Sequence, residues 1–309
     1  MKNIFIVNKA SRTGKAAGTW DRLEEYLISN NIEYQVHFTS GANDATDFAK
    51  QATSLGEQVA LFVMGGDGTL NEALNGIVDF ENTYYTPLPS GSANDFVSGI
   101  GFTGDAVEIL DRALNTEEYK LLDIGKVIYK GGQRLFGVSS GIGVDAYVCL
   151  QALDSKLKKI LNKFGMGAAT YGLLTVGDIF TMPFSDADIT IWRNGQEKQL
   201  KVKDTIFAAA MNCKAEGGGV PMAPNAKPDS GFLTIFYAHD LSRLKCLTLM
   251  PALVSGKHEG KKGMDLIDCD KIKIQMESPM CVHADGEHVG FLDEIIFESI
   301  PRVLKVRGF

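Results

Sequence analysis

Six uninterrupted apolar residues, Val59–Met64, run straight into Gly65-Gly66-Asp67-Gly68-Thr69-Leu70-Asn71-Glu72. An apolar run of this length, closed by glycine, reads as a strand buried on both faces. The stretch from Leu70 to Ile77 reads as the helix that follows it. Three glycines in four residues let a backbone come close to a ligand. The helix N-terminus behind them favours an anion. Asp67, at the strand's carboxyl end, could hold a cation that accompanies a phosphate. An ordinary glycine-rich turn is the alternative; the strand, turn and helix around an internal acid favour a phosphate site.

The neighbouring segments repeat the alternation. Ile4–Val7 reads as a strand and 16–28 as a helix with Trp20, Leu23 and Leu27 on one side. Tyr34–Phe38 is a second strand, Asp44–Ala52 a helix, and Tyr84–Leu88 a strand ended by Pro87 and Pro89. Asp105–Leu114 is a further helix. Strands alternating with helices imply right-handed crossovers and a parallel sheet with helices on both faces.

Beyond 115–120 the rhythm changes to short strands joined by turns. These are Tyr119–Tyr129, Arg134–Ser139, Ile189–Trp192, Thr205–Met211, Leu233–Tyr237, Ile272–Met276 and Met280–Ala284. Asn194-Gly195 reads as a hairpin turn before Gln199–Lys203. This half reads as an antiparallel sheet or sandwich, interrupted by helical segments at Tyr147 to about Thr181 and at Leu241–Val254.

The 309 residues suit two domains. With 45% hydrophobic and 22% charged residues, the chain is neither disordered nor a coiled coil. A net charge of −7 argues against a general nucleic-acid binder. The 33 glycines come with only 9 prolines, which places the excess in specific turns rather than linkers. Five widely spaced cysteines without a C-x-x-C pair give no disulfide framework or zinc site. The first residues lack a signal peptide's apolar core. No window reaches the roughly 18 apolar residues of a membrane span. The expected location is the cytoplasm, with contact to the inner face of the membrane left open.

A second small-residue loop, Pro89-Ser90-Gly91-Ser92-Ala93-Asn94-Asp95-Phe96, leaves the next strand at its carboxyl end. It should lie beside the first loop. Asn8-Lys9-Ala10-Ser11-Arg12-Thr13-Gly14-Lys15 ends the first strand as a basic turn. It lacks the first glycine and the Ser or Thr of a Walker A loop, so it is not one. Gly99–Gly104 spells a dinucleotide fingerprint but follows no strand. Gly137–Gly141 spells a hydrolase nucleophile elbow, with His283 or His288 downstream, but no helix is evident after it.

His283-Ala284-Asp285-Gly286-Glu287-His288 reads equally as a solvated hairpin or as a general base with its orienting partner. Asn212–Gly231 is a long glycine-dense loop. Leu157, Ile160, Leu161 and Phe164 make an amphipathic stripe beside four lysines. That stripe suits packing on its own domain, or docking to an anionic membrane.

Together these residues resemble the diacylglycerol kinase catalytic-domain family, particularly soluble bacterial lipid kinases related to sphingosine kinases. The resemblance spans nearly the whole chain. It runs through Gly65–Glu72, Gly91–Phe96, Asp123-Ile124-Gly125, Gly143–Ala146, Asn212 with Gly217–Gly219 and Pro224, and Asp285-Gly286-Glu287. It implies an α/β plus β fold: a Rossmann-like domain at 1–118, to which about 290–309 returns, and a β-sandwich lipid-substrate domain at 119–289. It also implies ATP between the domains, touching Asn8, Ser11, Arg12, Thr39, Gly65, Gly66, Asp67, Gly68, Thr69, Asn71, Ser92, Asn94 and Asp95.

By the same resemblance Glu287 is the proton acceptor with Asp285 beside it, and Asp67 holds catalytic Mg²⁺ with Asp95 as a second candidate. Three departures stand out. Lys9 and Arg12 replace the family's Pro and Gly, and Ser92-Ala93 replaces Thr-Gly. In the structural metal loop, Ser230 stands where a carboxylate is usual, between Lys227 and Phe232. The implied activity is ATP-dependent phosphorylation of a diacylglycerol-like lipid hydroxyl at the membrane surface, with homodimerisation left open. A kinase of a soluble substrate resembling NAD kinase, or a nucleotide-binding regulator without catalysis, are the alternatives.

Overall fold

The apolar runs of the first third form β1 (Lys2–Val7), β2 (Gln35–Phe38), β3 (Val59–Gly65) and β4 (Thr83–Pro89). The computed structural model describes residues 1–11, 16–154 and 175–309, and Arg12 and the stripe at 156–164 lie outside them. Two compact units result: Met1–Ile124 with Pro301–Phe309, and Gly125–Ile300. The chain passes between them inside β5 (Lys120–Tyr129) and inside the last strand, β14 (Glu287–Val306).

In the first unit β1 to β4 pair in parallel, in the order β2-β1-β3-β4, with the end of β14 parallel beside β4. The helices α1 (Ala16–Ser29), α2 (Asp44–Thr53), α3 (Asp67–Gly76), α4 (Asp95–Gly99) and α5 (Ala106–Leu114) follow the strands. Trp20, Leu23 and Leu27 of α1 are fully buried, as their spacing requires. Phe5 of β1 stacks on Phe62 of β3 at 4.6 Å and meets Trp20 edge-on at 5.7 Å. Helix α5 starts from a capping box made by Asp105 and Glu108.

Two local expectations change here, and one is borne out. Helix α3 begins at Asp67, not Leu70, because Gly66 is already its N-cap. The glycine loop is therefore the helix start itself. Strand β4 runs through Pro87 and Pro89 instead of ending at them. Ser90 N–H donates to Gly65 O, so by alternation the two prolines face away from β3. The pairing with β14 is already over at Tyr85, so no ladder bond is lost. The residues before Gly99 form α4, which confirms that the dinucleotide fingerprint has no strand in front of it.

The second unit is antiparallel. Besides β5 it contains β6 (Gly132–Phe136), β7 (Ser139–Gly143), β8 (Ser185–Arg193), β9 (Gln196–Thr205) and β10 (Phe207–Met211). It continues with β11 (Leu233–Ala238), β12 (Met264–Cys269) and β13 (Lys271–Ala284). One path runs β12-β11-β10-β7-β13-β14; β9-β8 adds to β13, and β6-β5 to β14. Asn194 and Gly195, at φ 51° and 76°, make the expected two-residue hairpin between β8 and β9.

The expected strand Arg134–Ser139 divides into β6 and β7 at Gly137-Val138. Helix α6 (Val144–Asp154) begins directly after β7, earlier than Tyr147, because Gly143 at φ 86° turns the chain. A helix thus does follow Gly137–Gly141. Ser139, however, opens β7 rather than sitting at the strand–helix turn, and its hydroxyl bonds Glu216. The hydrolase reading fails on that geometry. The two expected strands 272–276 and 280–284 are one strand, β13, with a register shift between Gln275 and Met280 that accommodates Pro279. The helix α7 (Arg243–Val254) lies where it was expected. Among the described residues no helix is long and apolar enough to cross a membrane.

Candidate active site

In the first unit the strand order 2-1-3-4 reverses direction between β1 and β3. Open parallel sheets bind ligands outside the carboxyl ends of their strands at such a switch point. The residues expected at a nucleotide gather there. Asn8 ends β1 and donates through Nδ2 to Thr69 Oγ1 at 2.9 Å, bridging β1 to the start of α3. Its Oδ1 accepts from the Ala10 amide at 3.1 Å. Thr39, just after β2, donates its amide to Val7 O at 3.0 Å. Ser11 Oγ donates to Ser90 O at 3.4 Å, tying the first turn to the second loop.

The two glycine loops touch. A Cβ on Gly91 would come within 2.6 Å of the Gly66 Cα and 2.9 Å of Asn94 Oδ1, so only glycine lets the loops close up. Asn94, at φ 53°, accepts from the Gly91 amide at 3.0 Å and returns a bond to Gly91 O at 3.1 Å. Asp67 Oδ1 accepts from the Phe96 amide at 3.2 Å, which couples the start of α3 to the start of α4. Helix α3 has no side-chain cap, so its N-terminal amides keep their reach for an anion. Asn71 is buried within α3, whereas Ser92 is exposed at the rim. Asp67 is a hard oxygen donor of the kind Mg²⁺ takes, held at a strand end; Asp95 opens α4. These residues fit a nucleotide phosphate with its cation.

In the second unit Asp285 and Gly286 form the two-residue turn between β13 and β14, with Ala284 opposite Glu287 and φ values of 49° and 81°. The Asp285 carboxylate is committed. Oδ2 accepts from the Gly137 amide at 2.8 Å, and Oδ1 accepts from Val138 at 2.8 Å and Ser139 at 3.0 Å. Its own amide donates to Ser139 O at 2.8 Å. Those bonds fix the hairpin tip, and two residues on stands half-buried Glu287. Asp285 thus holds backbone, while Glu287 lies outside that cradle.

His283 lies behind the turn, 1% exposed. Its Nε2 lies 2.8 Å from Asp145 Oδ2, and its Nδ1 accepts from the Gly286 amide at 3.1 Å. Burial pushes the imidazole's pKa down, but Asp145, Glu216 and Asp285 push it up more strongly, to about 9. Asp145, Cys149 and His283 present ligand atoms within 4.8 Å of one another. In the neutral ring Nδ1 accepts from Gly286, so the proton sits on Nε2 and faces Asp145, and the charged ring keeps that Nε2 proton. The trio therefore presents a proton where a metal would need a lone pair.

Sequence spacing placed Asp145 in a motif but gave no sign of its bond to His283, 138 residues away. The loop at Lys227, Ser230 and Phe232 is closed by serine. The Ser230 amide donates to Lys227 O at 3.2 Å and its hydroxyl to Phe232 O at 3.0 Å. Both carbonyls already accept from Ser230, and its neutral hydroxyl brings no charge to offset a divalent cation, so these residues do not fit a structural Mg²⁺.

The diacylglycerol kinase catalytic domain matches residues 2–127, and the YegS C-terminal NAD kinase beta sandwich-like domain matches residues 138–308. YtlR of Bacillus subtilis (strain 168), a protein whose lipid-kinase designation is provisional, is 26% identical over 93% of both chains. Diacylglycerol kinase of the same organism is 25% identical, covering 84% of this chain and 81% of that one. A crystal structure of a Bacillus anthracis str. Sterne diacylglycerol kinase superposes with a TM-score of 0.68. It has 20% identity and covers 100% of this chain and 97% of the other. That likeness bears on the fold alone.

Proposed function

The chain belongs to the diacylglycerol kinase catalytic-domain family, and from that premise we propose that it transfers the γ-phosphoryl group of ATP to a hydroxyl of diacylglycerol or a related lipid. The anchored turn carries this reading: a carboxylate held by three amides presents Glu287 at a fixed place. Glu287 accepts the proton of the acceptor hydroxyl as its oxygen attacks the γ-phosphorus, and ADP leaves. The amides of Gly65–Thr69, with Asn8, Ser11, Asn71, Ser92 and Asn94, steady the phosphates and the rest of the nucleotide, and Arg12 is assigned there from the sequence. Asp67, with Asp95 at the start of α4 beside the Phe96 amide that Asp67 accepts from, would hold a Mg²⁺ that offsets charge on the transferring phosphate. Asp285 positions rather than reacts. No step runs through Lys227, Ser230 or Phe232. A lipid acceptor brings the protein to the membrane surface.

Glu287→Gln tests the assignment. Turnover should fall by about 100-fold or more, with ATP affinity within a few fold. Labelled ATP offered with a panel of lipid alcohols, and in parallel with NAD, tests the acceptor class. Transfer to NAD alone would overturn the lipid reading, and ATP binding without any transfer would favour a regulator.

A further inference from the structure

We propose that His283 is a positioning residue for the Asp285–Glu287 turn, fixing the Gly286 amide through Nδ1 while Asp145 fixes the ring through Nε2. The inference rests on the reading of Glu287 as the base. A two-residue hairpin tip is the least restrained part of a ladder, yet here both of its residues are tied. Asp285 is held through its carboxylate and its amide, and Gly286 through its amide. His283 stands opposite His288, and Ala284 stands opposite Glu287, so the ring lies one ladder step behind the base. Each bond selects the tautomer the other needs. Acceptance at Nδ1 requires the proton on Nε2, which is the proton Asp145 holds at 2.8 Å.

The device is sensitive to charge. A second proton, on Nδ1, meets the Gly286 N–H head-on and removes that tie. The groups facing the ring are Asp145 and Cys149 from α6, Glu216 from the loop after β10, Asp285 from the turn, and His288 opposite on β14. Cys281, on the same strand, stays a thiol, pushed up to about 12 by burial and by Asp145. The three carboxylates favour the doubly protonated ring, and the Gly286 bond is open only to the neutral one. The ring therefore sheds its second proton above the ordinary 6.5, its pKa pushed up to about 9. The Gly286 tie forms as it does so.

Two variants separate positioning from mere support. In His283→Gln, the amide can accept from Gly286 and donate to Asp145 but cannot titrate. In His283→Leu both bonds are lost. With ATP and a lipid alcohol, His283→Leu should lose about 10–100-fold in kcat while KM for ATP stays within about twofold. His283→Gln should keep most of the activity at alkaline pH and lose the rise in kcat expected of the wild type across the His283 titration. A wild-type kcat and pH profile in both variants, with Glu287→Gln inactive, refutes positioning while leaving the base intact. An active Glu287→Gln refutes the base reading itself, and the turn's catalytic role with it. Should His283→Leu fail to fold, the profile of His283→Gln decides alone: a retained rise overturns the proposal.

Discussion

Replacing Asp285 by Asn keeps shape and removes charge, which makes it the sharpest probe of the turn. The wild-type carboxylate accepts three backbone amides at 2.8, 2.8 and 3.0 Å. Bonds to a charged acceptor contribute about 1.5–3 kcal/mol each, and neutral ones about 0.5–1.5. The asparagine's single oxygen can serve Val138 and Ser139, which leaves its NH₂ group facing the Gly137 N–H. One bond is lost, two weaken, and two donors oppose each other. The position is half-buried, so water recovers part of the deficit, and Asn tolerates the left-handed backbone at φ 49° slightly better than Asp. The net cost should be about 2–4 kcal/mol.

Urea unfolding followed by fluorescence, with an independent probe for each unit, measures this cost, and the second unit's transition should move alone. Turnover should drop with it, because Glu287 loses its fixed tip, while ATP affinity, which the proposed function assigns to the first unit, should not change. An Asp285→Asn protein with the second transition within about 0.5 kcal/mol of wild type would refute the anchoring argument. Normal turnover despite that loss would detach the anchor from catalysis.

Gly91→Ala should weaken ATP binding by about tenfold or more and cost about 1–3 kcal/mol, since its Cβ meets Gly66 backbone that cannot swing aside; nucleotide titration and thermal unfolding report both. Gly18→Ala should stabilise the chain by about 0.5–1 kcal/mol, because Gly18 lies exposed inside α1 with nothing within 4 Å of an added Cβ. Chelating Mg²⁺ should abolish phosphoryl transfer but leave the melting temperature unchanged, because Ser230 closes its loop without a cation; a fall in melting temperature would contradict that. His283 has a raised folded-state pKa, so its ion pair with Asp145 stabilises the fold fully below the ordinary 6.5 and is lost as pH rises toward about 9. The stability gap between wild type and His283→Gln should shrink across that window in urea titrations, and a constant gap would contradict the sign.

The parallel half was legible because its strands are buried on both faces. Val59–Met64 leaves little but a central strand, and Trp20, Leu23 and Leu27 mark the buried face of α1. The glycine loops were legible because few residues besides glycine permit such contact. Strands β12 and β14 were not. Met264–Cys269 carries its acids at Asp265 and Asp268, three apart, which breaks the two-residue alternation of a strand, and 287–306 changes partners along its 20 residues, so no single period governs it. The start of α6 was hidden for another reason. Val144 continues an apolar run, and only the positive φ of Gly143 shows that the strand has stopped.

The candidate site divides along the same line. On the nucleotide side each element is local: a strand, its loop and its helix lie together in sequence, so spacing carries the information. On the acceptor side the controlling bonds join residues more than 130 apart, Asp285 to Gly137–Ser139 and His283 to Asp145. Spacing left Asp285-Gly286-Glu287 evenly balanced between a solvated hairpin and a catalytic pair, and the hydrogen bonds show why both descriptions contain part of the answer. The segment is a hairpin turn, but one whose two tip residues are tied inward. Those ties leave the carboxylate of Glu287, rather than that of Asp285, outside the amide cradle. Spacing treated the two acids as equals, and the three backbone amides held by Asp285 set its anchoring role apart.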